Sequence, residues 1–270
     1  MNKNNRITIS FIASIFIMLI SLTACREDTF DKELVREFSI TSNINGSTYP
    51  VKVAVPKNYS SSTKYKTIYV LDSKWDFDDV AREVQTQSEN FHRSDVLVVG
   101  IGWGNDRLDD YLPVPYKNGS GRADLFVRFI NEELIPKIEQ DFHASGIRED
   151  RAILGHSAGG LFGAYCFTSY PDVFGNYLAL SPALWIGGQV VLKEEKKNRA
   201  GNQSRTGTFF LATGEIEEGG MRPTVEALRQ ILNQHYNGFS KGYHLAKGLD
   251  HMGSKKPNIR KAVTFYFQQL

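Results

Sequence analysis

Residues 151–160 read RAILGHSAGG, an apolar strand that passes into a helix through a serine with glycines on both sides. Gly155, Ser157 and Gly159 match the Gly-x-Ser-x-Gly pattern of a nucleophile elbow, a strained turn that lifts the serine hydroxyl clear of a sheet. Side chains at Gly155 and Gly159 are expected to collide with the neighbouring strand and helix. The next residues, LFGAYCF, are apolar all round, which favours a buried helix and an elbow over an ordinary glycine-rich turn.

Strand and helix patterns alternate along the rest of the chain. Two alternating segments on either side of Asn45-Gly46 predict an antiparallel hairpin. Later apolar runs alternate with helical segments, and the predicted strands are 67–72, 95–102, 151–156, 177–182, 208–214 and 243–245. This order predicts an α/β fold with a mostly parallel central sheet and helices on both faces. Ligands bind at the carboxyl ends of the strands in such sheets, so the site is expected there.

The amino terminus carries the pattern of an export signal. A positive head is followed by an apolar run, and small residues then precede Cys25. That ending resembles the bacterial lipobox, whose cysteine becomes the first residue and is lipidated, although a plain secretory signal remains the alternative. We expect a signal peptide at 1–24, a charged tether at 25–37 and one catalytic domain at 38–270. Acyl chains on Cys25 would anchor it in the bacterial cell envelope.

Charge and cysteine content narrow the possible partners. Lys3 and Arg6 account for the whole formal net charge of +2, so the processed chain is neutral and lacks the basic excess typical of a nucleic-acid binder. The acidic Glu27-Asp28 pair favours display at the outer membrane. Apart from Cys25 there is only Cys166, so no disulfide framework can form within one chain. No metal-ligand cluster or phosphate-binding glycine loop is present, and no cofactor is expected.

A serine nucleophile needs a base, and the base needs a carboxylate to orient it. In this architecture the acid and then the histidine follow the serine along the chain. His251 lies in the loop after the last predicted strand and is the expected base for Ser157. The other two histidines beyond the elbow suit less well, because His235 falls on a helix face and His244 lies within a strand.

The acid is expected among three glutamates in the loop after strand 208–214. Glu217 has the spacing from the strand end that lets a carboxylate reach across to the histidine, and Glu215 and then Glu218 are the alternatives. Asp250 is disfavoured because neighbouring side chains on an extended backbone point apart.

An acyl-transfer site also needs two N–H groups that bind the developing oxyanion. The backbone of Ala158 is expected to supply one. The second is expected from the loop after Asp72, at the backbone of either Lys74 or Trp75, and the sequence does not separate these two.

Several short motifs together resemble one family, the esterase family of α/β-hydrolases with its esterase D, feruloyl esterase and enterochelin esterase branches. The resemblance extends from Phe38 to the carboxyl terminus and implies an α/β-hydrolase fold and serine hydrolase chemistry on carboxylic esters. Ser73 replaces the glycine that usually follows Asp72, and Met252 comes before the usual Gly-Ser pair. The motifs are VLD at 70–72, RLDDY at 107–111, GHSAGG at 155–160, SPALW at 181–185 and HMGS at 251–254.

Arg107, Trp185 and His156 are the expected substrate contacts. Arg107 is expected either to bind an acidic or polyphenolic substrate or to pair with Asp109 or Asp110. Trp185 is expected either to form a wall for an acyl or aryl group or to belong to the core.

The leading hypothesis is therefore an envelope-anchored serine esterase with a small-molecule ester substrate. A thioesterase or peptidase with the same residues is one alternative, and a non-catalytic ligand-binding lipoprotein is another. Retention of the serine, the acid and the histidine disfavours a binding protein, which has no need of all three. The sequence does not distinguish an acetylated or feruloylated sugar from a trilactone siderophore.

Overall fold

The computed structural model describes residues 30–270, whose strands form one eight-stranded sheet. Its strand order is β1-β2-β4-β3-β5-β6-β7-β8; β1, β2 and β4 pair antiparallel and all other neighbours run parallel. This confirms the predicted α/β-hydrolase fold with an amino-terminal hairpin. The strands are β1 Val35–Thr41, β2 Thr48–Ala54, β3 Lys66–Val70, β4 Val96–Ile101, β5 Arg151–His156, β6 Asn176–Leu180, β7 Gly207–Gly214 and β8 Phe239–Ala246.

Helices cover both faces of the sheet because successive strand residues point to opposite sides. Ile68 and Val70 face a core formed with α1 and α8, whereas Tyr69 and Leu71 face the core that contains α5. The helices are α1 Ser73–Asn90, α2 Arg107–Tyr111, α3 Ala123–Phe129, α4 Ile135–Phe142, α5 Ala158–Ser169, α6 Ile186–Asn202, α7 Met221–His235 and α8 Lys255–Phe267.

The helix behind the elbow is buried on nearly every side, as its apolar sequence predicts. Cys166 lies within it, fully buried and free, so this thiol serves as a small core side chain. Within residues 30–270 no helix combines the length and the apolar character that a membrane span requires.

Two predicted boundaries differ from the structure. The predicted tether at 25–37 overlaps the fold, because β1 already begins at Val35 and Phe30 is buried edge-on against Phe77 with 6.2 Å between the ring centroids. Cys25 and the predicted signal peptide lie outside the described residues. Helix α1 begins at Ser73, so Lys74 and Trp75, which the sequence suggested were in a loop, are helical.

The helical segment that contains Pro136 is not regular. The chain passes from α3 through a π-helical turn, Ile130–Leu134, into α4. Pro136 lies in the first turn of α4, directly after the π-helical turn.

Candidate active site

The elbow at Ser157 has the strained backbone that its sequence predicts. Ser157 joins β5 to α5 with φ 61° and ψ −118°. A Cβ atom at Gly155 would lie 2.4 Å from the carbonyl carbon of Gly159, so only glycine fits there. The expected collision at Gly159 is wrong, because a Cβ atom there would meet nothing closer than 3.4 Å. The tight position is Gly160, whose Cβ would lie 2.9 Å from the Leu180 carbonyl oxygen on the next strand.

The loop after β6 holds the elbow in place. The Ser157 N–H donates to the Leu180 carbonyl at 2.9 Å, and the Ala183 N–H donates to the Ser157 carbonyl at 3.0 Å. Both bonds are between backbone groups, so they hold the serine backbone without using its hydroxyl.

A histidine and a buried carboxylate meet beside this elbow. Nδ1 of His251, in the loop between β8 and α8, lies 3.3 Å from Oε2 of Glu217. The other carboxylate oxygen, Oε1, accepts from the Gly214 N–H at 2.6 Å, from the Ser254 hydroxyl at 3.3 Å, and from the Ser181 hydroxyl. The Glu217 side chain is fully buried. Burial by itself would raise the pKa of Glu217, but the hydrogen bonds outweigh it and lower the pKa to about 2.

The other candidate acids are engaged elsewhere. Glu215 binds the Lys247 ammonium at 2.9 Å and the Gly248 N–H at 2.8 Å, away from the histidine. Glu218 is exposed to solvent. Asp250 accepts from the Gly253 N–H at 2.7 Å and thereby closes its own turn. Of the four carboxylates considered from the sequence, only Glu217 contacts the His251 imidazole.

His156 supports the histidine loop. Its Nε2 lies 3.1 Å from the His251 carbonyl oxygen, and the two imidazole rings pack with 4.5 Å between their centroids. Burial, reinforced by the nearby His251 and Lys255, lowers the pKa of His156 to about 3, so the ring is neutral and donates through Nε2. The expectation that His156 contacts substrate is wrong, because the ring is buried and its polar edge is used within the protein.

The structure separates the two predicted oxyanion donors. Asp72 precedes α1 with φ 55°, and the Trp75 N–H donates to its carbonyl oxygen at 2.8 Å as part of the first helical turn. The Trp75 backbone is therefore not free for an oxyanion. Lys74 remains, together with Ala158 at the first position of α5.

Arg107 does not present a free cation to a substrate. Its Nε and Nη2 atoms each lie 2.7 Å from a carboxylate oxygen of Asp72, and Nη2 also donates to the His156 carbonyl at 3.2 Å. The ion pair expected between Arg107 and Asp109 or Asp110 is wrong. Asp109 instead binds Ser120 and Asp110 binds the Tyr49 hydroxyl, because the five-residue helix α2 turns these carboxylates toward other elements.

Sequence reasoning missed the role of the Asp72 carboxylate, although the VLD motif contains it. Besides Arg107, this carboxylate accepts from Nε1 of Trp103 at 2.7 Å. The aspartate thus ties the loop after β3 to the loop after β4 and, through Arg107, to the elbow.

Two exposed tryptophans lie on the segments that follow β3 and β6. Trp185 is 37% exposed and lies two residues after Ala183, which is bonded to Ser157. Trp75 is 53% exposed and lies in the helical turn that begins at Asp72. The Trp75 ring is braced edge-on by Trp103, with 4.5 Å between centroids. Of the two alternatives for Trp185, its exposure favours a wall of the site over a place in the core.

Comparison with known proteins identifies similar esterases. The family described as "Putative esterase" matches residues 42–217. Ferri-bacillibactin esterase BesA of Bacillus subtilis is 29% identical over 207 residues, which are 66% of this chain and 69% of that protein. The siderophore enterobactin esterase of Emericella nidulans is 31% identical over 128 residues, 44% of this chain and 42% of that protein. The crystal structure of the BES protein from Bacillus cereus is similar with a TM-score of 0.77 at 26% identity, covering 86% of this chain and 94% of that one.

Proposed function

This chain belongs to the family described as "Putative esterase", and from the geometry of its site we propose that it hydrolyses carboxylic esters through Ser157, His251 and Glu217. The observation that carries this proposal is the fully buried Glu217 carboxylate on Nδ1 of His251, beside the strained serine. The Glu217 carboxylate has a pKa of about 2 and is therefore ionised at neutral pH. An ionised carboxylate is suited to orient an imidazole and to stabilise it as imidazolium.

In the proposed reaction the Ser157 hydroxyl oxygen attacks the acyl carbon while His251 takes its proton through Nε2. The N–H groups of Ala158 and Lys74 bind the oxyanion of the tetrahedral intermediate. Collapse of this intermediate breaks the bond to the alcohol, which leaves with the proton from the imidazolium. Water then attacks the acyl-enzyme by the same route, releasing the acid and restoring Ser157.

The experiment is steady-state hydrolysis of p-nitrophenyl acetate by the purified protein, with Ser157→Ala as the matched variant. The esterase proposal requires turnover that depends on Ser157. A binding lipoprotein would show no turnover of any ester. A thioesterase or a peptidase would show a higher kcat/KM for the thioester or the amide of the same acyl group.

We propose that the substrate is an aromatic ester of the siderophore class. The names of two similar proteins, a ferri-bacillibactin esterase and a siderophore enterobactin esterase, support this class. The indole rings of Trp75 and Trp185 supply flat apolar surfaces on which an aromatic ring can stack.

We expect Trp75→Leu to lower kcat/KM for an aryl-bearing ester by about 3- to 10-fold, the free energy of one aromatic pair. Hydrolysis of ethyl acetate, an ester without an aromatic ring, uses the same chemistry and should lose less. Phe91→Leu, at the far end of α1, is the control for removing an exposed ring. Equal losses on both esters would show that Trp75 does not select aromatic substrates.

We also propose that acyl chains on Cys25 anchor the protein in the cell envelope, on the support of the lipobox resemblance. Cys25→Ser should move the protein from the membrane fraction to the soluble fraction or block its processing, as judged by fractionation and immunoblotting. Cys166→Ala, at the only other cysteine, should stay in the membrane fraction. Membrane association of Cys25→Ser equal to that of the wild type would refute the anchor.

A further inference from the structure

Three ion pairs connect helices α1 and α8, and one of them differs from the others in burial. Asp79 pairs with Lys256 at 3.3 Å, and Glu83 pairs with Arg260 at 3.7 Å; both cations are 75% exposed. The third pair joins Asp76 to Lys255, whose side chains are only 2% and 13% exposed. Ion pairs with an exposed cation contribute little to stability, so the pairs of Asp79 and Glu83 are given no further role.

The buried pair lies beside two segments of the site, the loop between β8 and α8 that carries His251 and the first turn of α1. Lys255 follows Ser254 directly, and the Ser254 hydroxyl lies 3.3 Å from both Oε1 of Glu217 and the His251 carbonyl oxygen. Asp76 lies in the first turn of α1, and its N–H donates to the Asp72 carbonyl at 3.1 Å. The ion pair therefore joins the loop that carries His251 to the first turn of α1, which carries the Lys74 N–H.

Stability alone gives little reason to keep a charge pair in this place. Two buried charges lose their hydration, and an apolar pair of similar volume is often at least as stable. Burial raises the pKa of Asp76, and the hydrogen bond and charge of Lys255 oppose that rise. An ion pair, unlike an apolar contact, fixes the direction in which the two helix ends face each other.

Lys255 also lies near the loop that carries His251. The His156 ring packs against the His251 ring, and the charge of Lys255 contributes to the lowered pKa of His156.

We propose that Lys255 and Asp76 are positioning residues, which hold the loop of His251 and the first turn of α1 at the separation that ester hydrolysis needs. This inference rests on the proposed function. Neither side chain is assigned a contact with substrate. Both act through the backbone of the segments that they join.

The test compares Lys255→Met with Lys256→Met, a matched loss of one cation from the adjacent ion pair between the same two helices. For Lys255→Met we expect kcat to fall about 10- to 100-fold, the cost of a small misplacement, with KM little changed. Lys256→Met should match the wild type in both kcat and KM.

Two further variants remain informative if Lys255→Met folds poorly. Lys255→Arg keeps the cation and should restore kcat toward the wild type. The Asp76→Asn/Lys255→Met double variant leaves no unpaired buried charge, yet its kcat should stay low because the link between the two helix ends is lost. A double variant with wild-type kcat, or a Lys255→Met enzyme indistinguishable from Lys256→Met, would overturn the inference and leave the esterase proposal intact. A wild-type protein without ester turnover would instead refute the proposed function, and the inference would fall with it.

Discussion

Ser157→Ala and His251→Ala should each lower kcat for p-nitrophenyl acetate by about three orders of magnitude or more. Alanine at 157 removes the only atom that can form the acyl-enzyme. Alanine at 251 removes the base that takes its proton and the acid that protonates the leaving alcohol. Because the two groups share one proton transfer, the double variant should lose little beyond either single variant.

Additive losses in the double variant would contradict this shared mechanism. His92→Asn, an exposed histidine at the end of α1, controls for the loss of an imidazole and should keep wild-type kcat. Thermal unfolding of Ser157→Ala should resemble that of the wild type, since the contacts that hold the elbow come from backbone atoms. An organophosphonate that labels the wild type and not Ser157→Ala would give the same answer without a turnover assay.

Glu217→Gln should lower kcat by about 10³- to 10⁴-fold, the loss seen when a triad carboxylate becomes an amide. The amide no longer stabilises imidazolium, and its NH₂ group favours the wrong imidazole tautomer at Nδ1. Glu215→Gln and Glu218→Gln are matched controls from the same loop, and both should keep most activity because neither side chain contacts His251. A crippled Glu215→Gln beside an active Glu217→Gln would move the acid by two residues.

Glu217→Gln should also change how the free energy of unfolding depends on pH. The pKa of Glu217 is about 2 in the folded protein and 4.5 in its ordinary range, so folding favours the ionised form. The stabilisation is complete above pH 4.5 and disappears as pH falls toward 2. Chemical denaturation should therefore show the wild type and Glu217→Gln differing most above pH 4.5 and converging in acid. A gap that widened in acid would contradict a depressed pKa.

Local patterns in the chain were enough to predict the elbow and the sheet, and they indicate the three residues of the proposed triad. Glycine spacing around Ser157 and an apolar strand before it describe a turn whose geometry depends on its nearest neighbours in sequence. His251 and Glu217 follow from chain order, because loops after parallel strands gather at one edge of the sheet. The site of lipidation is also a matter of sequence and stays a prediction.

Other contacts depend on parts of the chain that meet only after folding. Asp72 and Arg107 are 35 residues apart, and Asp76 and Lys255 are 179 residues apart. No local sequence pattern predicts those partners, since a charged side chain is expected to be solvated until its burial and direction are known. The start of α1 at Ser73 likewise removed the Trp75 N–H from the candidate oxyanion donors. Residue type and spacing therefore determine which groups reach the edge of the sheet, whereas packing between distant segments determines which polar groups are already paired and which remain free for chemistry.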